Sequence, residues 1–223
     1  MLKEIISFWK GESFMNSVVQ EFGEMISDAE YVFNASWEAL KSDQDPSGLK
    51  ASIYEKDKAV NHKERDIRRK LIKHLSINPK EDTSGCLAIM SLVKDVERIG
   101  DYSKNIFDLR IMLGTGVSKM KYAPQITDIE SVVATHFPML KEAFLNSDGD
   151  IARKILSDYL SIKEASSKLL RELFEDELPT KETAATVLLS RYLKRINSHI
   201  SNVATGIISP IDQIDFVRGD LLE

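Results

Sequence analysis

The sequence predicts an all-α protein built as two tandem three-helix bundles, residues 1–115 and 116–223. Three observations carry that expectation. Chain breakers are scarce, with 6 prolines and 10 glycines in 223 residues. That is below average usage and favours long helices over a many-turned β fold. Apolar residues recur at steps of three and four, the mark of one buried helical face. A stretch of the first half also recurs in the second at a constant offset of 97 positions: Lys94–Ile106 aligns with Arg191–Val203, and Arg98/Arg195, Ile99/Ile196 and Asn105/Asn202 are identical. Repetition at a fixed offset is how a duplicated supersecondary unit shows in sequence.

The elements follow in order. Val18, Phe22, Met25, Ile26, Ala29, Phe33 and Trp37 line one face of a first helix over 14–41. Residues 42–48 (Ser-Asp-Gln-Asp-Pro-Ser-Gly) have loop composition, and a second helix is expected over 49–74. Asn78-Pro79-Lys80-Glu81 combines a cap residue, a first-turn proline and an acid three residues after the cap, which opens a third helix running to Leu113. Gly114-Thr115-Gly116 marks the boundary between halves, and 117–126 reads as a linker containing Pro124. Thr127 and Glu130 form a second capping box, so a fourth helix is expected to start there and end near Ser147. Asp148-Gly149-Asp150 is a tight turn; a fifth helix covers 151–177 before Pro179, a sixth covers 180–208, and Ser209-Pro210 opens a short final helix carrying Ile211, Ile214 and Val217.

Composition excludes several classes. Hydrophobic residues make up 43% of the chain and charged residues 29%, enough apolar material for a core and too much for a disordered chain. No run of 18 apolar residues occurs, so no membrane-spanning helix is expected. Met1–Lys10 carries Glu4 and lacks a long apolar stretch, so a signal peptide is not expected. Cys86 is the sole cysteine, which rules out an internal disulfide and makes the cytoplasm the default compartment. The net charge of −5 argues against a nucleic-acid binder.

The third helix carries the chemistry. Leu92, Val96, Ile99, Ser103 and Ile106 form its core stripe, with Gly100 at the edge. A mid-helix glycine costs about 1 kcal/mol relative to alanine, so close approach of a neighbouring helix or a bound group would justify it. Glu97 and Asp101 lie four residues apart and share a face; their oxygens suit iron, manganese or magnesium. The same face also carries Lys94, Lys104 and Asp108, which makes an ion-pair ladder without metal the alternative reading. Asp57 and Asn61 form a second oxygen pair on the preceding antiparallel helix, and one register would set them opposite Glu97 and Asp101.

These residues resemble a known family. Val96-Glu97-Arg98-Ile99-Gly100-Asp101 with Asn105-Ile106 is very like the hallmark segment of the PhoU family, and Asp57-x-x-Val60-Asn61 with Glu64 and Ile67 resembles its second-helix pattern. The resemblance implies two similar three-helix bundles. It implies a cytoplasmic, non-enzymatic regulator of phosphate uptake, acting by contact with a phosphate-transport ATPase and a sensor histidine kinase and reaching the membrane only through such partners. It also implies iron or another divalent metal at Glu97 and Asp101, with Asp57, Asn61 and Asp95 as helpers. Arg98 would bridge acids and Asn105 would bond between helices. The second half departs from the pattern: Lys194, Asn197 and Ser198 replace the acidic motif, and Asp158 is the nearest candidate for the expected fifth-helix aspartate. A metal-competent first half only is therefore expected, since a lysine among the ligands disfavours a cation. The alternative is a metal-free helical module partnering another transporter, such as a sodium–phosphate cotransporter.

Other features are weighed against this. No Glu-x-x-His pair supports a di-iron bundle, and no Gly-x-x-x-x-Gly-Lys loop supports nucleotide hydrolysis. His62 and His74 read as solvated residues, and His136 and His199 as boundary residues without a catalytic role. Residues 56–74 hold eight Lys/Arg against three acids, so the second helix is basic in an acidic protein. Val60, Ile67, Leu71 and Ile72 are its core side, and Arg65, Arg68 and Arg69 are candidates for contact with an acidic partner. Leu2, Ile5, Ile6, Phe8 and Trp9 form an apolar cluster expected to pack on the bundle. Homodimerisation through exposed bundle faces is a further expectation.

Overall fold

The computed structural model describes residues 13–77 and 83–217. The N-terminal apolar cluster and the Asn78–Glu81 cap lie outside these residues. Six long helices run α1 (Ser13–Lys41), α2 (Ser47–Ile77), α3 (Thr83–Leu113), α4 (Ala123–Asn146), α5 (Gly149–Phe174) and α6 (Thr180–Ile208). No strand occurs among the described residues, as expected for an all-α protein.

The seven apolar positions read along α1 are all buried, as is the α3 stripe from Leu92 to Ile106. On α2, Val60, Ile67 and Leu71 are buried but Ile72 is 59% exposed, so it is not a core residue. α2 covers 47–77 where 49–74 was expected and α5 covers 149–174 where 151–177 was expected, and two further boundaries differ for a physical reason. α4 begins at Ala123, four residues before Thr127, with Pro124 in its first turn; proline's fixed φ and missing N–H suit that position. After α6 the chain makes only a 3-10 turn, Ile211–Gln213, although Ile214 is buried against the bundle. Between α4 and α5, Ser147 adopts a left-handed conformation and Asp148 caps α5, its Oδ1 accepting from the Asp150 and Ile151 N–H groups at 2.9 and 3.1 Å.

Each half is an up-down-up bundle. The halves pack through equivalent helices, α1 on α4 and α3 on α6, with α2 and α5 outermost. The apolar core is continuous across that junction. Phe22 stacks on Phe144 with ring centroids 4.1 Å apart, and Phe33 meets Phe137 at 5.1 Å. Gly206 of α6 lies against Leu92 of α3 so closely that an added Cβ would sit 2.5 Å from Leu92 Cδ1. At Gly100 an added Cβ would meet Val60 at an ordinary 3.5 Å. The close helix approach thus rests on the second half's glycine.

Polar staples fix the register. Across α1 and α2, Lys70 bonds Glu21 at 2.6 Å, Lys63 bonds Asp28 at 2.6 Å and Lys56 bonds Asp28 at 2.7 Å. Burial raises the Asp28 pKa, but the two lysines outweigh it and hold the carboxyl below its ordinary value. Arg110 on α3 is 2% exposed. Its Nε donates to the Ala39 and Ser42 carbonyls, each at 3.1 Å, and Nη2 donates to the Gln44 carbonyl at 2.8 Å. Ala39 offers an orphan acceptor in the last turn of α1, and Ser42 and Gln44 lie in the loop that follows; a cation here also meets the favourable end of the helix dipole.

Candidate functional site

α3 carries two polar regions that face opposite ways, and only the first was singled out by sequence. The first faces α2. The antiparallel packing sets Asp57 against the Gly100–Lys104 turn, and Lys104 Nζ bonds Asp57 Oδ2 at 2.7 Å and Asp101 Oδ1 at 3.4 Å. Asp57 is buried and Asn61 half-buried one turn along α2. Burial works against the Lys104 charge, but the Asp57 bond and the nearby carboxylates outweigh it and lift its pKa. Beyond this lysine, Glu97 is desolvated and repelled by Asp101 and Glu64, which raises its pKa despite Arg98. Arg98 touches Glu97 at 3.6 Å and bridges no further acid among the described residues.

This geometry bears on the expected metal. The ammonium of Lys104 stands between Asp57 and Asp101, where a shared cation would have to sit. Among the described residues no three His, Cys, Asp or Glu side chains converge to hold a metal ion. The donor set as arranged does not fit a resident metal, because the protein supplies its own cation. Asp95, expected as a helper, belongs to the other side of α3 and does not join Glu97 and Asp101.

The second region is the seam between α3 and α6. Asp95 is buried, and its Oδ1 lies 2.8 Å from His199 Nδ1 and accepts from Asn202 Nδ2 at 2.8 Å. Asn105 makes no side-chain hydrogen bond among the described residues; the interhelical bond expected of it is made by its repeat counterpart, Asn202. Tyr102 stacks on His199 with centroids 5.8 Å apart. Lys94, Arg98, Tyr102, Arg195, His199 and Asp215 line a cleft of about 360 Å³ here. Asp215 has a left-handed backbone, φ 75°, held by its N–H donating to Thr205 Oγ1 at 3.0 Å. This cleft was not read from sequence. Its one available signal was the identity of Arg98 and Arg195 in the repeat.

The remaining candidates separate. Arg68 and Arg69 pair within their own helix, with Glu64 at 3.0 Å and Asp66 at 2.7 Å, and Arg65 is exposed. His62 is exposed, but His74 is buried, contrary to its reading as solvated. His136 is fully buried, 3.3 Å from Asn197 Oδ1 and 3.5 Å from Asp158 Oδ2. Its burial holds its pKa below the ordinary value, against the opposing pull of Asp158. Asp158 is otherwise paired with Lys154 at 2.6 Å. The second half thus fills the equivalent region with His136 and Asn197. A separate, mostly apolar groove of about 410 Å³ lies between α4 and α5.

Comparison with known proteins decides the family. The PhoU domain model matches residues 22–109 and 126–207, once in each half. The chain belongs to the PhoU family. Among its relatives are PhoU homologs of Pseudomonas aeruginosa (27% identical over 73% of this chain and 69% of that protein) and Xylella fastidiosa (25% identical over 68% and 66%). Both carry the name phosphate-specific transport system accessory protein. The aligned stretch spans about two thirds of their length. The crystal structure of PhoU from P. aeruginosa is similar with a TM-score of 0.78 at 24% identity, covering 88% of this chain and 96% of that one. The phosphate transport system regulatory protein PhoU from Streptococcus pneumoniae gives 0.75 at 18% identity, over 86% and 92%. These structures show the tandem-bundle fold. No described helix of the PhoU-family chain is long and apolar enough to cross a membrane.

Proposed function

We propose that this chain is a cytoplasmic, non-enzymatic regulator of phosphate uptake that works through protein contacts with a phosphate-transport ATPase or a sensor histidine kinase. The observation that carries the reading is the double match to the PhoU domain, one in each half of the chain. The names of its relatives support the link to phosphate transport. The basic outer face of α2 supports contact with an acidic partner surface. Lys56, Lys63 and Lys70 are occupied by α1, but Lys58, Arg65 and Lys73 are exposed and make no ion pair among the described residues. Such a face raises association rates more than it adds affinity.

A second reading keeps the regulatory role but assigns a metal-free module to another transporter, such as a sodium–phosphate cotransporter. Lys104 favours the metal-free form, because it satisfies Asp57 and Asp101 without an added ion. One experiment addresses both readings. The gene is deleted, a phosphate-responsive reporter is followed at high and low phosphate, and tagged protein is purified from cross-linked cells. The first reading expects an altered phosphate response and recovery of the ATPase or kinase; the second expects the cotransporter. An unchanged response with no transport component recovered would overturn both.

A further inference from the structure

We propose that the cleft between α3 and α6 is a binding site for a small tetrahedral oxyanion of the phosphate type, held by Arg98, Arg195 and Lys94. It rests on the cleft alone and is independent of the regulatory reading above.

The repeat places the arginines. Arg98 and Arg195 occupy the same position in the two copies, and α3 and α6 run antiparallel against each other. Duplication and packing together bring both guanidiniums to one cleft, with Lys94 one turn before Arg98. These cations are poorly neutralised. Lys94 and Arg195 make no hydrogen bond or ion pair among the described residues, and Arg98 has only the 3.6 Å contact with Glu97. The acids of the cleft do not relieve them. Asp95 is taken up by His199 and Asn202. Desolvation and repulsion by Asp95 push the Asp215 carboxyl up; they outweigh the pull of His199 and Lys94, with neither of which it makes an ion pair among the described residues. Three side-chain cations, Lys94, Arg98 and Arg195, face two carboxylates, Asp95 and Asp215, which leaves this cleft positive in a chain of net charge −5.

Gathering like charges in one cleft is unfavourable without an anion. Two guanidinium forks and an ammonium are the donors that tetrahedral oxyanions use, the forks giving paired, directional bonds. The volume of about 360 Å³ accepts such an ion with its water. A free phosphate and the terminal phosphoryl group of a nucleotide share this chemistry.

The test is an amide NMR titration of the full chain with inorganic phosphate and, separately, with ATP. Saturable shifts centred on Tyr102, His199 and Asn202 are expected. Saturation by phosphate identifies the free ion as the source; saturation by ATP alone identifies a phosphoryl group on a larger molecule. Arg98→Gln and Arg195→Gln should each weaken binding about tenfold or more, the loss of one charge-assisted pair. Lys58→Gln on the far face should not. Both arginines are exposed, so the folded spectrum should survive either change. No saturable shift with either probe up to about 10 mM, an affinity too weak to matter, would overturn the proposal. So would binding that persists unchanged in the double arginine variant.

Discussion

Lys104 of α3 holds Asp57 of α2 at 2.7 Å and reaches Asp101 on its own helix at 3.4 Å. A lysine thus stands at the point where the sequence suggested a metal. Removing it leaves Asp57, only 7% exposed, without its counter-charge. Lys104→Met is expected to destabilise the fold by about 2–3 kcal/mol, between the values for exposed and fully buried pairs. Adding Asp57→Asn should recover much of that loss, because the orphaned charge is then gone. Urea denaturation of the single and double variants checks this. The same pair gives a test of metal binding. The melting temperature of the wild type should not change with a chelator or with manganese, whereas Lys104→Met should gain stability from manganese as the freed carboxylates bind it.

Gly100 and Gly206 make opposite predictions. An alanine Cβ at 206 would fall 2.5 Å from the fully buried Leu92. Gly206→Ala should therefore cost about 1–3 kcal/mol for overpacking, only partly offset by helix propensity because the buried Leu92 has little room to move. Gly100→Ala meets Val60 at 3.5 Å, ordinary contact, and should gain up to about 1 kcal/mol from helix propensity. Thermal melts of the two variants should move in opposite directions.

Much of the fold was legible in the sequence. The apolar spacing of α1 and α3 identified core positions that are buried one for one, because a two-bundle protein needs a single buried stripe per helix. The offset-97 repeat announced the pairing of like helices that places Arg98 beside Arg195. Partnerships were harder to read. Spacing put Glu97 and Asp101 on one face, but which lysine stands opposite Asp57 depends on the α2–α3 register, which no local pattern encodes. Asp95 looked like a neighbour of Glu97 by number, yet two positions on a helix differ by about 200° around its axis. His74 and Ile72 exchanged expected roles for a related reason: the buried stripe of α2 runs Ile67, Leu71, His74 at steps of four and three, which leaves Ile72 about 100° round the helix from Leu71. Pro124 was read as a linker breaker because the capping box at Thr127 competed with its first-turn preference.

Arg110 is a structural residue that no motif revealed. Its guanidinium serves three backbone carbonyls at the end of α1 and in the following loop. Arg110→Met should cost about 3 kcal/mol or more, since it strands buried acceptors. Arg110→Lys should recover only part of this, because a single ammonium cannot match the fork. Chemical denaturation of both variants, with hydrogen exchange at residues 39–46, measures the loss and locates it.

Glu130 makes stability depend on pH. It is buried where α4 meets α1. Burial lifts its pKa from an ordinary 4.5 to about 7, with Lys41 opposing and Glu38 adding to the rise. An acid whose pKa is higher in the folded state holds its proton after the unfolded chain has lost it. The folded state is therefore favoured below about pH 4.5, and that contribution is lost as pH rises towards about 7. The loss is about 3.5 kcal/mol at the usual 1.4 kcal/mol per pKa unit. Other groups titrate over the same window, so the informative quantity is the difference between wild type and Glu130→Gln. Relative to its value below about pH 4, where the glutamic acid is neutral in both states, the stability of the wild type should fall against that of the variant by about 3 kcal/mol at pH 8. Equal pH dependence in the two proteins would show that folding does not raise the Glu130 pKa.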